Sequence, residues 1–169
     1  MRNLLFGLLV LLLGSCWPSS FSFKDKGGMP EEWKTFSLKT LEIEAATCPL
    51  NFAPLLSEKM KDGVQNNTPL LLNTTFGNGE VNIDGKITQY SVQPLAIQGN
   101  DNASQNRLTM TVQMNISIKK PKEEQWTLTS TRFADFNAGT NLSEVENKLF
   151  EDISVQMVQD LINKLLSNW

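Results

Sequence analysis

Between Asn106 and Ile118 the chain reads NRLTMTVQMNISI, with Leu108, Met110, Val112, Met114, Ile116 and Ile118 at every second position. Thr109, Thr111, Gln113, Asn115 and Ser117 fill the gaps. Side chains alternate across a strand, so one face of this segment is wholly apolar and the other wholly polar. Such a strand belongs to a sheet covered on one side only, which favours antiparallel neighbours. Everything else in the chain has to supply the cover for that apolar row.

The cover comes from two helical patterns. From Leu142 to Leu166 the residues Val145, Leu149, Ile153, Met157, Leu161 and Leu165 fall four apart, and no glycine or proline interrupts them. This predicts a helix roughly 37 Å long with an apolar stripe. Asn141 followed three residues later by Glu144 forms its start signal. Pro54 to Val64 (PLLSEKMKDGV) predicts a shorter helix, with Leu55, Leu56, Met60 and Val64 at helical spacing.

The remaining periodic segments are strands. Thr35–Ala46 alternates, but Phe36 and Leu38 are out of phase with Leu41 and Ile43, so a bulge is expected near Lys39–Thr40. Leu70–Thr74 is a short strand, and Gly77-Asn78-Gly79 is a turn. Glu80–Pro94 is a longer strand whose phase changes before Tyr90, with Gly85 marking a bulge or a close backbone approach. Ala96–Gln105 is a polar loop. Lys119–Glu124 (KKPKEE) is a charged turn that joins the organising strand to Gln125–Phe133 as a hairpin. The order is strand, helix, about three further strands, helix. That predicts an α+β domain with two helices on one face of a mixed, mostly antiparallel sheet of about four strands.

The N-terminus reads as an address. Arg2 precedes the unbroken apolar run Leu4–Leu13, too short to span a bilayer and suited to a signal-peptide core. Leu13-Gly14-Ser15-Cys16 follows at once and resembles the bacterial lipobox, whose cysteine accepts lipid. The expected organisation is a lipoprotein signal peptide over 1–15, a lipidated tether over 16–32 and one α+β domain over 33–169. Several acyl chains at Cys16 would give stable membrane attachment, at about 0.8 kcal/mol per buried CH2. Cys48 is then left as a lone thiol buried as a small hydrophobe; without the lipobox a Cys16–Cys48 disulfide would be open. The first acidic residue after Cys16 is Asp25, which points to an outer-membrane protein on the periplasmic side.

Composition removes several function classes. Histidine is absent from the 169 residues, the net charge is -3, and the basic residues are scattered. No metal site, phosphate loop or G-x-S-x-G nucleophile elbow is expected, nor any cofactor, nor an electrostatic footprint for nucleic acid. Glu42 and Glu44 share a strand face, but they are expected to be solvated rather than a catalytic pair. An enzyme is not expected. Asn73, Asn115 and Asn141 head glycosylation-type triplets that two strand and helix assignments make fortuitous.

Three blocks carry a family likeness. Gly85–Val112 (GKITQYSVQPLAIQGNDNASQNRLTMTV), Thr131–Phe136 (TRFADF) and the ending built on Met157–Asn163 and Ser167-Asn168-Trp169 together resemble the lipopolysaccharide-assembly lipoprotein family, LptE. The resemblance covers the lipobox and nearly all of the chain that follows. It implies two helices against a four-stranded sheet, no enzymatic activity, and a lipid-anchored protein of the outer membrane facing the periplasm. It also implies that the domain plugs the LptD β-barrel, helps that barrel assemble and assists lipopolysaccharide delivery. Some family members contact lipopolysaccharide through basic loop residues, and Lys119, Lys120 and Lys122 in the hairpin turn are the candidates here. An accessory lipoprotein or binding module of another envelope transport system is the alternative role.

Overall fold

All six apolar residues of the organising strand are buried on one side of a sheet, in a computed structural model that describes residues 28–95 and 104–167. The elements are β1 (Thr35–Leu38), β2 (Glu42–Ile43), α1 (Phe52–Asn67), β3 (Leu71–Leu72), β4 (Val81–Leu95), β5 (Gln105–Ile118), β6 (Glu124–Asn137) and α2 (Leu142–Leu166). The sheet runs β3-β1-β4-β5-β6, with β2 also beside β4. β4, β5 and β6 pair antiparallel, whereas β1 and β2 run parallel to β4 and β1 parallel to β3. The class is α+β as expected.

The sheet has six strands, not about four. The first predicted strand is two short pieces, because its register against β4 shifts by one residue between Leu38↔Ile83 and Glu42↔Lys86. That extra residue is the source of the phase slip in the sequence. It puts Phe36, Leu38 and Leu41 all into the core. The break is held by α1: Ser57 accepts from the Leu41 amide at 2.9 Å and donates to the Ala53 carbonyl at 2.6 Å.

β4 resolves both of its sequence irregularities. Gly85 is a close approach, since a Cβ there would run into the Gln113 carbonyl oxygen and lie 3.0 Å from Met114 Cα. The bulge lies further on, between Ile87 and Gln89. It returns Tyr90 to the covered face, opposite Met110. A bulge puts two residues against one, so the alternation must change phase there.

α1 begins two residues before Pro54, whose missing N–H falls in the first turn, where helix amides lack intrahelical partners anyway. Phe52, Leu56, Met60 and Val64 form its buried row. α2 spans Leu142–Leu166 as predicted, with Asn141 accepting from the Ser143 amide at 3.3 Å. Its buried row includes Leu149, Ile153, Met157, Leu161 and Leu165. The helices cross where Gly63 meets Val158, and any Cβ at 63 would overlap that valine. Phe52 stacks on Phe150 at 4.1 Å, and Tyr90 meets Phe52 edge-on at 5.9 Å.

The other sheet face carries no helix among the described residues. It is laced by polar pairs: Thr111 with Thr131 at 3.0 Å, Asn115 to Asp84 at 3.0 Å, and a two-pronged Arg107–Asp135 bridge at 2.7 and 2.8 Å. Arg107 also lies 3.6 Å above the Phe133 ring. The loop predicted at Ala96–Gln105 lies largely outside the described residues.

Candidate functional site

The lysine hairpin closes one end of the domain and is built into it by backbone contacts. The Lys119 amide donates to the Glu80 carbonyl at 2.9 Å, and the Trp33 indole N–H donates to the Lys120 carbonyl at 2.7 Å. The Lys119 ammonium is itself tied to the Gly77 carbonyl. The side chains of Lys120 and Lys122 are exposed, and among the described residues neither enters an ion pair. A cleft of about 350 Å³ opens beside the turn, between Ser117–Lys119 and Glu123–Gln125. Hydrogen bonds from Thr35 hold the Glu80 carboxyl below its ordinary value, and the Lys120 charge adds to that effect.

The same end receives the N-terminal segment. Gly28 donates its amide to the Leu166 carbonyl at 3.0 Å, and Trp33 packs on Trp126 with ring centroids 5.7 Å apart. Lys164 stands 5.0 Å from the Trp126 ring centroid. Cys16, the expected lipid-bearing residue, lies outside the described residues. Chain entry, helix end and lysine turn are therefore gathered at one pole.

Cys48 and Tyr90 belong to the opposite half of the fold. Burial pushes the Cys48 thiol up to about 11, with the Glu146 charge adding to the shift. Burial likewise raises Tyr90, whose hydroxyl donates to the Glu146 carboxylate. A thiol so displaced is protonated at neutral pH and is a poor nucleophile. Among the described residues no group of acidic, cysteine or histidine side chains is placed to hold a metal ion, and no helix is long and apolar enough to cross a membrane.

One contact was not foreseen. Arg132 sits on the covered side of β6, in phase with Trp126 and Leu128, and forms a two-pronged bridge to Asp160 on α2. Ser130 donates to the same carboxylate at 2.5 Å. Burial would raise Asp160, but the hydrogen bonds from Arg132 and Ser130 outweigh it and leave its pKa below the usual value of 3.8. The signal available in the sequence was an arginine at an apolar-phase strand position. Arg132 and Asp160 come from two of the blocks that carried the family likeness, Thr131–Phe136 and Met157–Asn163, so the structure brings those blocks together.

Fold and surface together define a two-layer α+β domain with one helix-covered and one polar sheet face. The chain belongs to the LptE family, described as lipopolysaccharide-assembly, which it matches over residues 38–165. Among solved structures it is similar to an uncharacterized lipoprotein B from Nitrosomonas europaea, at 12% identity over 88% of this chain and 92% of that one, with a TM-score of 0.51. It is also similar to the hypothetical protein CT253 from Chlamydia trachomatis, at 9% identity over 80% and 99% of the two chains and a TM-score of 0.53. A minor lipoprotein from Acinetobacter baumannii is 18% identical over 80% and 94%, with a TM-score of 0.46. Comparison with curated proteins finds no match.

Proposed function

We propose that the protein is an outer-membrane lipoprotein, anchored through Cys16 on the periplasmic side, that plugs and helps assemble an LptD-type β-barrel and assists lipopolysaccharide transport. The observation that carries this is the family match over residues 38–165 in a chain whose upstream segment ends a signal-like core in Leu13-Gly14-Ser15-Cys16. The polar sheet face, which among the described residues carries no helix, supports it, because a barrel lumen of the aqueous kind is lined by polar side chains. Neither role needs a nucleophile or a metal.

The placement of the chain entry adds to this. The eleven residues between Cys16 and Gly28 allow a span of at most about 40 Å. The pole bearing Lys119, Lys120 and Lys122 is the one where the described chain begins, so these lysines fall within reach of a membrane-anchored Cys16. They are the proposed contacts for lipopolysaccharide phosphates, which ammonium groups attract as point charges. Depleting the protein in cells is the test. The amount of correctly assembled LptD barrel should fall and the lipopolysaccharide permeability barrier should weaken; if both stay unchanged, the role is wrong.

A further inference from the structure

The sheet ends differently on its two sides. One edge is β3, two residues long, and the other is β6, with fourteen residues and, among the described residues, no strand on its far side. Which backbone groups of β6 are unpaired follows from the ladder. The Ala138 amide donates to the Ser104 carbonyl at 3.0 Å, and the β5–β6 register runs without a shift from Gln105↔Asn137 to Ile118↔Glu124. Backbone direction alternates along a strand, so the even-numbered residues of β6 turn their N–H and C=O groups to β5. The odd-numbered residues, Thr127, Thr129, Thr131 and Phe133 among them, turn theirs outward.

Natural sheets guard a long open edge with lysine, proline, a bulge or a covering loop. β6 has no lysine, proline, glycine or register shift. Its two central charges are already answered, Arg132 by Asp160 and Asp135 by Arg107. Alongside the edge runs a groove of about 400 Å³, lined by Leu128 to Arg132 on the strand and by α2 residues that include Asp160 and Lys164. Lys164 stands 5.0 Å from the Trp126 ring centroid but has no carboxylate partner, since among the described residues it enters no ion pair.

We propose that the β6 edge takes an extended segment of a partner protein as a further strand, hydrogen-bonded to the outward groups of Thr127, Thr129 and Thr131, with a carboxylate side chain where the segment passes Lys164. Strand addition of this kind draws affinity from main-chain hydrogen bonds and selectivity from the flanking groove. A second copy of this chain would set one basic groove against another, whereas an acidic segment answers Lys164. The proposal rests on the partner-held role above only for who donates the strand, namely the barrel protein.

The test uses full-length protein recovered with the barrel from detergent-solubilised envelopes. In that complex the amides of Thr127, Thr129 and Thr131 should exchange hydrogen at least about tenfold more slowly than in the isolated chain. Thr129→Pro removes an outward N–H that the native sheet does not use, so the variant should melt as the wild type does and lose the barrel. Lys164→Glu, which leaves the strand intact, should weaken retention by about tenfold or more and decides the matter if the proline variant does not fold. Equal exchange in complex and isolated chain, with both variants retaining the barrel, overturns strand addition and leaves the plug role standing. If no barrel is recovered with the wild type, the plug role fails instead. Exchange on the extracted chain then decides: slow amides with a doubled mass mean self-pairing and overturn the proposal, as do fast amides, whereas slow amides cross-linked to another, acidic chain segment uphold it.

Discussion

The two faces of β5 are made by one stretch of backbone and do opposite things. On the even side Leu108, Met110, Val112, Met114 and Ile116 are fully buried under helices that supply Met60, Ile153 and Met157. On the odd side Thr109, Gln113, Asn115 and Ser117 remain at least partly exposed, and only Thr111 is buried, by its neighbours Gln89 and Thr131. The covered side is where the fold is determined, because apolar area removed from water contributes about 25 cal/mol per Å². The polar side contributes little to stability and is free to meet something else. In this domain the buried and the solvent-facing surfaces are separated by the thickness of one strand.

That separation can be broken most severely from below. Ile153→Asp would bury an unpaired carboxylate in the middle of α2's apolar row, where the wild-type side chain is fully buried. A loss of more than about 4 kcal/mol is expected, seen as the absence of a cooperative melt. A variant that melts as the wild type does would mean the helix does not cover the sheet. Next comes Gly63→Leu, which drives a side chain into Val158 at the helix crossing and should cost about 1–3 kcal/mol in denaturant titrations.

Arg132→Met tests the clamp between β6 and α2, and an effect of about 1–2 kcal/mol at pH 7 is expected for a bridge whose arginine is partly exposed. The pH dependence has a definite sign. Asp160 is held below its usual value of 3.8, so the bridge stabilises above that pH, and the contribution disappears as pH falls through the lower folded-state value. Wild type and Arg132→Met should therefore differ in melting temperature at pH 7 and converge on strong acidification. The smallest effect should come from the open face: Thr127→Lys should shift stability by no more than about 0.5 kcal/mol.

The covered face was legible in the sequence because its signals are periodic and unbroken. β5 and the full span of α2 could be read directly from spacings of two and four. The phase slips at Lys39–Thr40 and before Tyr90 were visible too, but not their form: one is a strand break with an inserted residue, and the other is a bulge at Thr88, three residues after Gly85, which is the close backbone approach. Strand order was not legible. β1 lies between β3 and β4 and pairs parallel to both through very few residues, so its position depends on where α1 packs rather than on local pattern. The open edge of β6 was invisible for a related reason, since a hairpin sequence does not say whether a further strand follows outside it. Cys16 and the lysine turn, by contrast, are features of sequence alone, and the structure adds where Lys119, Lys120 and Lys122 sit relative to the chain entry.

The claim that the polar face serves a barrel partner is tested most directly by extracting the native protein from outer membranes in mild detergent and measuring what accompanies it. An LptD-type barrel present in one-to-one ratio, with the Thr127–Phe133 face shielded from surface labelling, is the predicted result. Recovery of the lipoprotein alone, or with that face labelled as fully as in the isolated domain, would contradict it.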